Sequence, residues 1–198
     1  ETIVVPASSD IKDMAGLVEK LKADPGAVSW AGGSAGGVDH ITAGLIAKAI
    51  GVDPTKVNYI AFSGGGEALA AILGGQVTVG ISGYGEFESQ IKAGQLRLIG
   101  ISSDAKVDGI DAPTFKEGGV DVAIQNWRMV AAAPGLSDEQ KAAVTADIEK
   151  MAQSETWKKT LADKGWENTY LAGDDFAKQL QADTEATESI LKDIGLVK

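Results

Sequence analysis

The sequence predicts an α/β protein, and three observations lead to that prediction. Short apolar runs alternate along the first half of the chain with segments whose apolar residues recur at helical spacing. Each strand-like run is nearly continuous in apolar residues, which favours parallel strands covered on both faces. Glycine-rich turns separate the strands from the helices. The 198 residues suffice for one domain or two small ones, and the 44% hydrophobic composition predicts a packed core.

The first strand is predicted over residues 3–5, because three apolar, β-branched residues precede Pro6. Residues 8–10, Ser-Ser-Asp, offer a cap for the first helix, whose apolar stripe is Met14, Leu17, Val18 and Leu21. An Asp-Pro-Gly turn then leads to a second strand over residues 28–31. The second helix begins at Val38 and ends at Gly51, with one face formed by Val38, Ile41, Leu45, Ile46 and Ala49.

The strand–loop–helix unit recurs twice more. Strands are predicted over residues 57–61, 77–81 and 96–101, and helices over 67–73 and 86–92. After residue 103 the pattern changes: residues 120–124 and 129–133 look extended, and Ser137 with Gln140 has capping-box spacing. The later helices carry the stripes Val144, Ile148 and Met151; Trp157 and Leu161; and Phe176, Leu180, Thr187, Leu191 and Ile194. These faces need a sheet, which indicates a missing N-terminal portion.

Composition excludes several classes of function. The net charge of −10 argues against nucleic acid or an anionic membrane surface as a partner, because both require a basic patch. Without cysteine there is no disulfide, thiolate metal site or cysteine nucleophile. No apolar run is long enough to insert into a membrane, and no signal peptide is visible. We interpret the chain, which begins within a strand, as an N-terminally truncated fragment.

Three glycine-rich loops, at residues 32–37, 63–66 and 82–85, each follow a strand and precede a helix. In a parallel sheet such loops lie together at the carboxyl edge, where ligands bind. Helix starts present free N–H groups and partial positive charge. Ser34, Ser63 and Ser82 add hydroxyl donors. The loops therefore suit a carboxylate or a phosphate, although glycine-rich turns in α/β proteins often only connect elements.

Known catalytic and phosphate motifs are absent. The GxxxxG spacing of residues 32–37 is followed by Val38 and Asp39 instead of Lys and Ser/Thr. No GxGxxG follows a strand, and Tyr84 replaces a glycine that a nucleophile elbow requires. His40 is the only histidine; it lies beside the first loop but has neither a paired carboxylate nor the partners of a metal site. We predict no catalytic residue, metal or cofactor.

Trp127 stands between Asn126 and Arg128, where the chain leaves the first predicted unit. The tryptophan suits core packing, or else a cleft wall with polar neighbours. Since Arg97 and Arg128 are the only arginines, an arginine clamp on a carboxylate could come only from these two.

In their order, the motifs resemble the solute-binding proteins of tripartite tricarboxylate transporters, the TctC or Bug family. They are ADPG at 23–26, GGSAG at 32–36 followed by His40, FSGGGEA at 62–68, LGGQV at 73–77, IKAGQLR at 91–97, APT at 112–114, NWR at 126–128 and APG at 133–135. The resemblance implies a two-lobed periplasmic-binding-protein fold of type II, of which this chain is the last two-thirds. Residues 5–125 would be the complete, Rossmann-like second lobe, and residues 126–198 the C-terminal part of the first lobe, whose N-terminal part is missing.

The resemblance further implies capture of a small carboxylate between the lobes, for delivery to the membrane permease subunits of the transporter. The protein would be periplasmic or otherwise extracytoplasmic after loss of a signal peptide, with a lipid anchor on the missing N-terminus as one option. It implies a site of backbone groups, hydroxyls and bridging waters, for which we predict Gly32, Gly33, Ser34, Ala35, Gly36, His40, Phe62, Ser63, Gly64, Gly65, Ser82, Gly83, Tyr84, Asn126 and Trp127.

Two positions depart from the family pattern. Phe62-Ser63 stands where Tyr-Lys is usual, and Ser82-Gly83 stands where Asp-Asn is usual. Loss of the acidic residue favours a ligand rich in acceptors, a di- or tricarboxylate such as citrate, over an amino acid. Two alternatives remain: an α/β enzyme fragment acting on a phosphorylated or carboxylated metabolite, with His40 as its only candidate base, and a sensor that signals to a partner without a transporter.

Overall fold

The computed structural model describes residues 1–197, and within them it contains five strands and seven helices. They divide into two compact units, Glu1–Asn126 with Ala186–Lys198, and Trp127–Glu185. The strands are β1 (Thr2–Pro6), β2 (Ser29–Gly32), β3 (Asn58–Ala61), β4 (Val79–Ser82) and β5 (Leu96–Ile101). The helices are α1 (Met14–Ala23), α2 (Val38–Ala49), α3 (Gly65–Leu73), α4 (Tyr84–Lys92), α5 (Asp138–Gln153), α6 (Glu155–Lys164) and α7 (Gly173–Asp193).

The five strands form one sheet in the order β3-β2-β4-β1-β5. Strand β2 runs parallel to β3 and β4, as predicted. Strand β1 is antiparallel to both β4 and β5, so the prediction of an all-parallel sheet is wrong at this strand. Because β1 runs against its neighbours, its first residue lies at the same edge as the carboxyl ends of β2, β3 and β4.

The sheet is covered on both faces, as the continuous apolar strands predicted. Ile3 and Val5 belong to a core that includes residues of α1 and α2, whereas Val4 belongs to a second core with α3 and α4. Trp30 and Ala31 divide between the two cores in the same way. The alternation follows from the period of two along a strand.

Helix starts are set by local capping. The cap of α1 is Asp13, whose Oδ1 accepts the Gly16 N–H at 2.8 Å, and not residues 8–10 as predicted. The capping box at α5 is confirmed: Gln140 N donates to Ser137 Oγ at 3.2 Å, and Ser137 N donates to Gln140 Oε1 at 2.9 Å. Residues 120–124 and 129–133 form no strand, which corrects a further prediction.

In the second unit, Trp127 packs against α7. Its indole N–H donates to Asp183 Oδ2 at 2.8 Å, and its ring meets Phe176 edge-on. The last turns of α7 belong to the first unit, where Ile190 and Ile194 bury against Ile41 of α2. No helix within residues 1–197 combines the length and the apolarity that crossing a membrane requires.

Candidate functional site

Three helices begin at the carboxyl edge of the parallel strands, and none of them has a side-chain cap. Gly37, Gly64 and Gly83 occupy the N-cap positions of α2, α3 and α4, and no side chain bonds to the amides that follow them. Helices α1, α5 and α6 are instead capped by Asp13, Ser137 and Ser154, respectively. Helices α2, α3 and α4 thus lack the side-chain caps of α1, α5 and α6, which leaves N–H donors for a ligand at the predicted binding edge.

The glycine loop at residues 32–37, here called the first loop, is braced by three side chains. Asp39 Oδ2 accepts the Gly33 N–H at 2.7 Å, and His40 Nδ1 accepts the Gly36 N–H at 3.2 Å. The Tyr59 hydroxyl donates to the Gly33 carbonyl at 2.8 Å. The rings of His40 and Tyr59 stack with centroids 4.2 Å apart. His40 thus lies at the loop as predicted, and it holds the loop through an amide.

The three loops approach one another at two close contacts. A Cβ at Gly65 would lie 2.9 Å from Ser82 Oγ, which places the start of α3 against the end of β4. A Cβ at Gly32 would lie 2.9 Å from the Ile81 carbonyl oxygen, which places the first loop against the same strand. The predicted loop residues are therefore neighbours along one edge of the sheet. Helix α2 covers one face of the sheet, while α3 and α4 cover the other.

Several loop amides are unused within the described chain. Among residues 1–197, no hydrogen-bond acceptor contacts the N–H groups of Ser34, Ala35, Gly64, Gly65, Gly66, Gly83, Tyr84 and Gly85. Ser34 and Ala35 are also exposed at the tip of the first loop. By contrast, Ser82 is buried, and its hydroxyl faces the start of α3. Donors at this edge therefore come mainly from the backbone.

Acidic side chains lie in the first turn of each of these helices. Burial, together with the nearby carboxylate of Glu1, raises the pKa of Asp39 to about 7. Glu67 Oε2 accepts the Ser63 N–H at 3.2 Å, and the Glu86 side chain packs against Gly65. Burial, followed by the charges of Asp39 and Glu1, raises the pKa of Tyr59, so its hydroxyl stays protonated and donates.

The hydrogen bond from the Gly36 N–H to His40 Nδ1 predicts that the first loop loses order in acid. Burial lowers the pKa of His40 below its ordinary value of 6.5, because it disfavours the imidazolium. A group whose pKa is lower in the folded chain than in the unfolded chain stabilises the fold at pH values above the unfolded-state pKa. That contribution is lost as the pH falls through the folded-state pKa. We expect the protection factor of the Gly36 amide, which compares its exchange with that of an unstructured peptide at the same pH, to fall as the pH falls below 6.5, because protonated Nδ1 cannot accept the bond.

Amide exchange followed by NMR measures this effect residue by residue. The control is His40→Phe, which can stack on Tyr59 but has no acceptor for Gly36. Its Gly36 amide should exchange rapidly at every pH tested. Equal acid dependence of Gly36 exchange in both proteins would show that His40 does not control the loop.

Other predicted residues have different surroundings. Arg97 donates to the carbonyls of Ala7, Ser9 and Ile11, so it ties down the segment before α1 and is not a carboxylate clamp. Phe62 is half-buried against the second core. Trp127 is held within the second unit, as its core-packing interpretation requires. Asn126 ends the first unit, and its predicted role stays a prediction.

Sequence reasoning missed Glu1 and Tyr59. Tyr59 follows no glycine motif, and its contact with Gly33 joins residues 26 positions apart. Glu1 reaches this edge only because β1 runs antiparallel to β4. Asp39 could have been found from the sequence, because it is an acidic residue in the first helical turn after a glycine-rich loop.

The family model described as "Tripartite tricarboxylate transporter family receptor", TctC, matches residues 1–196. The chain belongs to this family. Among curated TctC relatives, a UPF0065 protein of Cupriavidus necator is 27% identical over 99% of this chain and 59% of its own length. Protein BugT of Bordetella pertussis is 28% identical over 75% of this chain and 45% of its own length. The chain thus spans about three-fifths or less of these relatives.

Several solved structures share the fold. A TctC solute-binding protein from Polaromonas, solved without ligand, has a TM-score of 0.79 and 22% identity, covering 96% of this chain and 65% of that one. An R. palustris protein solved with adipate has a TM-score of 0.82 and 19% identity over 98% and 64% of the two chains. MatC from Rhodopseudomonas palustris, solved with malate, has a TM-score of 0.74 and 18% identity over 96% and 65%. The fold is that of periplasmic solute-binding proteins.

Proposed function

We propose that this chain is the ligand-binding part of an extracytoplasmic receptor that captures a small di- or tricarboxylate, citrate included, without chemical change. The receptor delivers the ligand to the membrane permease subunits of a tripartite tricarboxylate transporter. One observation carries the proposal: α2, α3 and α4 begin at one edge of the sheet with glycine caps and unused amides. Backbone amides at helix starts bind carboxylates whatever the net charge of the protein.

The chemistry of the edge supports a carboxylate over an amino acid. Its unused backbone groups are N–H donors, while Asp39 and Glu67 already accept loop amides. Ser82 and Gly83 stand where the family pattern has the acidic residue that can meet an ammonium group. Adipate and malate, with which two structures of this fold were solved, both carry two carboxylates. His40 accepts an amide of its own loop, which supports a bracing role and no catalytic one.

We also propose the domain assignment made from the sequence. Residues 5–125 form the second lobe, and residues 126–198 contribute to the first, with the segment that starts at Ala186 packing back onto the unit of residues 1–126. Two predicted binding residues, Asn126 and Trp127, lie at the sequence boundary between the two compact units. The proposed location is periplasmic, in keeping with the family.

Titration calorimetry tests the ligand class. We expect heat of binding with malate, adipate and citrate, and none with adipamide, which has the length of adipate without its charges. Binding of aspartate or nicotinate alone would contradict the proposal, as would equal binding of adipate and adipamide.

A matched pair of variants at Gly83 tests the backbone donors. Gly83 has φ −59°, a value that proline adopts, and a Cβ there would meet no atom within 4 Å. Gly83→Pro removes one N–H from the edge, whereas Gly83→Ala keeps it. We expect the proline variant to bind malate about tenfold more weakly or worse, since a hydrogen bond to a charged group contributes about 1.5–3 kcal/mol. Equal affinities in the two variants would show that this amide does not bind the ligand.

A further inference from the structure

Two carboxyl groups meet beside the first loop, behind the amides that the proposed function uses. Glu1 precedes β1, and Asp39 lies in the first turn of α2. Asp39 is buried, with 7% of its surface exposed, and both carboxylate oxygens of Glu1 are buried as well. The fold brings both residues to the end of β4: Thr2, next to Glu1, pairs with Ser82, and a Cβ at Gly32 would lie 2.9 Å from both Asp39 Cβ and the Ile81 carbonyl oxygen. Neither residue contributes to the ligand chemistry described above.

The Glu1 carboxylate has no hydrogen-bond donor among residues 1–197. Asp39 Oδ2 accepts the Gly33 N–H at 2.7 Å. Two carboxylates can only accept, so a buried contact between them is repulsive. A single proton on one of them supplies the missing donor and creates a short, charge-assisted O–H···O⁻ bond.

We propose that Asp39 is a positioning residue, which shares one proton with Glu1 and thereby holds the Gly33 amide and the first loop in their ligand-binding shape. The proton joins the start of β1 to the start of α2. Gly33 is then fixed from both sides, by Asp39 at its N–H and by Tyr59 at its carbonyl. The inference depends on the proposed function only for the statement that this loop binds a ligand.

The other charged and titratable groups around the pair do not replace this proton. The Glu1 main-chain nitrogen donates to Ser102 Oγ at 2.5 Å and is therefore engaged. The Tyr59 hydroxyl donates to the Gly33 carbonyl and is therefore engaged. His40 stacks on Tyr59 and accepts from Gly36. A pKa of about 7 for Asp39, raised by burial and by Glu1, accords with the shared proton.

If Asp39 and Glu1 share one proton, the order of the first loop must depend on pH. Above about pH 7 the pair loses its proton, and two buried carboxylates then repel. Gly33 should become less ordered as the pH rises from 6.5 to 9. The direction is opposite to the acid effect at Gly36, so the protection factors of the two amides, taken relative to intrinsic exchange at each pH, separate the contributions of Asp39 and His40.

The experiment is NMR on the chain and three variants, with no ligand present. In the unmodified chain the Asp39 carboxyl carbon should titrate near pH 7. Glu1→Gln should lower that midpoint by at least one pH unit. Asp39→Asn, which can accept from Gly33 and donate to Glu1, should keep Gly33 protected at every pH from 6.5 to 9. Asp39→Ala should accelerate Gly33 exchange at least tenfold. An Asp39 midpoint near 4, or one that Glu1→Gln leaves unchanged, would overturn the proposal.

Malate affinity provides the functional readout and separates this inference from the ligand proposal. Affinity should fall as the pH rises above 7 in the unmodified chain and stay level in Asp39→Asn. If Asp39 only supported the fold, Asp39→Asn would not both retain malate affinity and remove its pH dependence. Binding with the same pH profile in both proteins would overturn the positioning role. Absence of malate binding together with the expected carboxyl titration would contradict the ligand class and support the shared proton.

Discussion

Gly32→Ala should destabilise the first unit by about 2 kcal/mol and disorder the first loop, because the new methyl group has no space. Its Cβ would lie 2.5 Å from the Tyr59 hydroxyl oxygen, 2.9 Å from Asp39 Cβ and 2.9 Å from the Ile81 carbonyl oxygen. The Ile81 oxygen belongs to the backbone of β4, in the middle of the sheet, and cannot turn aside as a side chain can. The loop must therefore move away, which breaks the bonds at Gly33.

Urea unfolding measures the stability change, and amide exchange at Gly33 measures the loop. The matched control is Gly66→Ala in α3, where a Cβ would meet nothing within 4 Å. Because alanine has the higher helix propensity, the control should be as stable as the parent or slightly more stable. If Gly32→Ala unfolds at the same urea concentration as Gly66→Ala, close packing at Gly32 is not what fixes the loop.

Element positions were largely predictable, whereas strand direction was not. The predicted strand over residues 96–101 coincides with β5, because β-branched and leucine residues between two turns specify a strand locally. The direction of β1 depends on which neighbours it pairs with, and nothing in residues 3–5 encodes that choice. Alternating strands and helices favour parallel order, and β1 is the exception.

The candidate site likewise has features that the local sequence predicts and features that depend on strand direction. Glycine caps are local features, so the loops that precede α2, α3 and α4 could be found from the sequence. Glu1 lies at this edge because β1 runs antiparallel to β4, and its position was missed for the reason that the direction was missed. Local chemistry therefore predicts the donors, and topology determines the side chains behind them.

The second unit shows where periodicity stops being informative. The predicted stripe of α5 has helical spacing, yet Val144 and Met151 are 41% and 38% exposed. Spacing predicts that a face is apolar, but burial also requires a partner surface. A partner exists at the end of α7, where Ile190 in the helix and Ile194 just after it are buried against Ile41 of α2.

Leu17→Ala should have the largest effect of the substitutions considered, about 3 kcal/mol of lost stability in the first unit. Leu17 lies at the middle of α1 with 0% of its surface exposed, within the core that also contains Trp30 and Phe115. Removal of three carbons, Cγ and its two methyl groups, leaves a cavity that α1 cannot close, because Met14 and Leu21 fix the helix on either side. Urea unfolding followed by the fluorescence of buried Trp30 measures the loss.

Leu73→Ala is the matched control, since it removes the same atoms from the last residue of α3, where the side chain is 44% exposed. Exposed substitutions usually change stability by no more than about 0.5 kcal/mol, and alanine suits the helix. The difference between the two variants therefore isolates burial from the intrinsic effect of replacing leucine in a helix. If the two lose equal stability, the core around α1 is not closely packed, and the sheet edge that presents the three helix starts has no rigid support on that face.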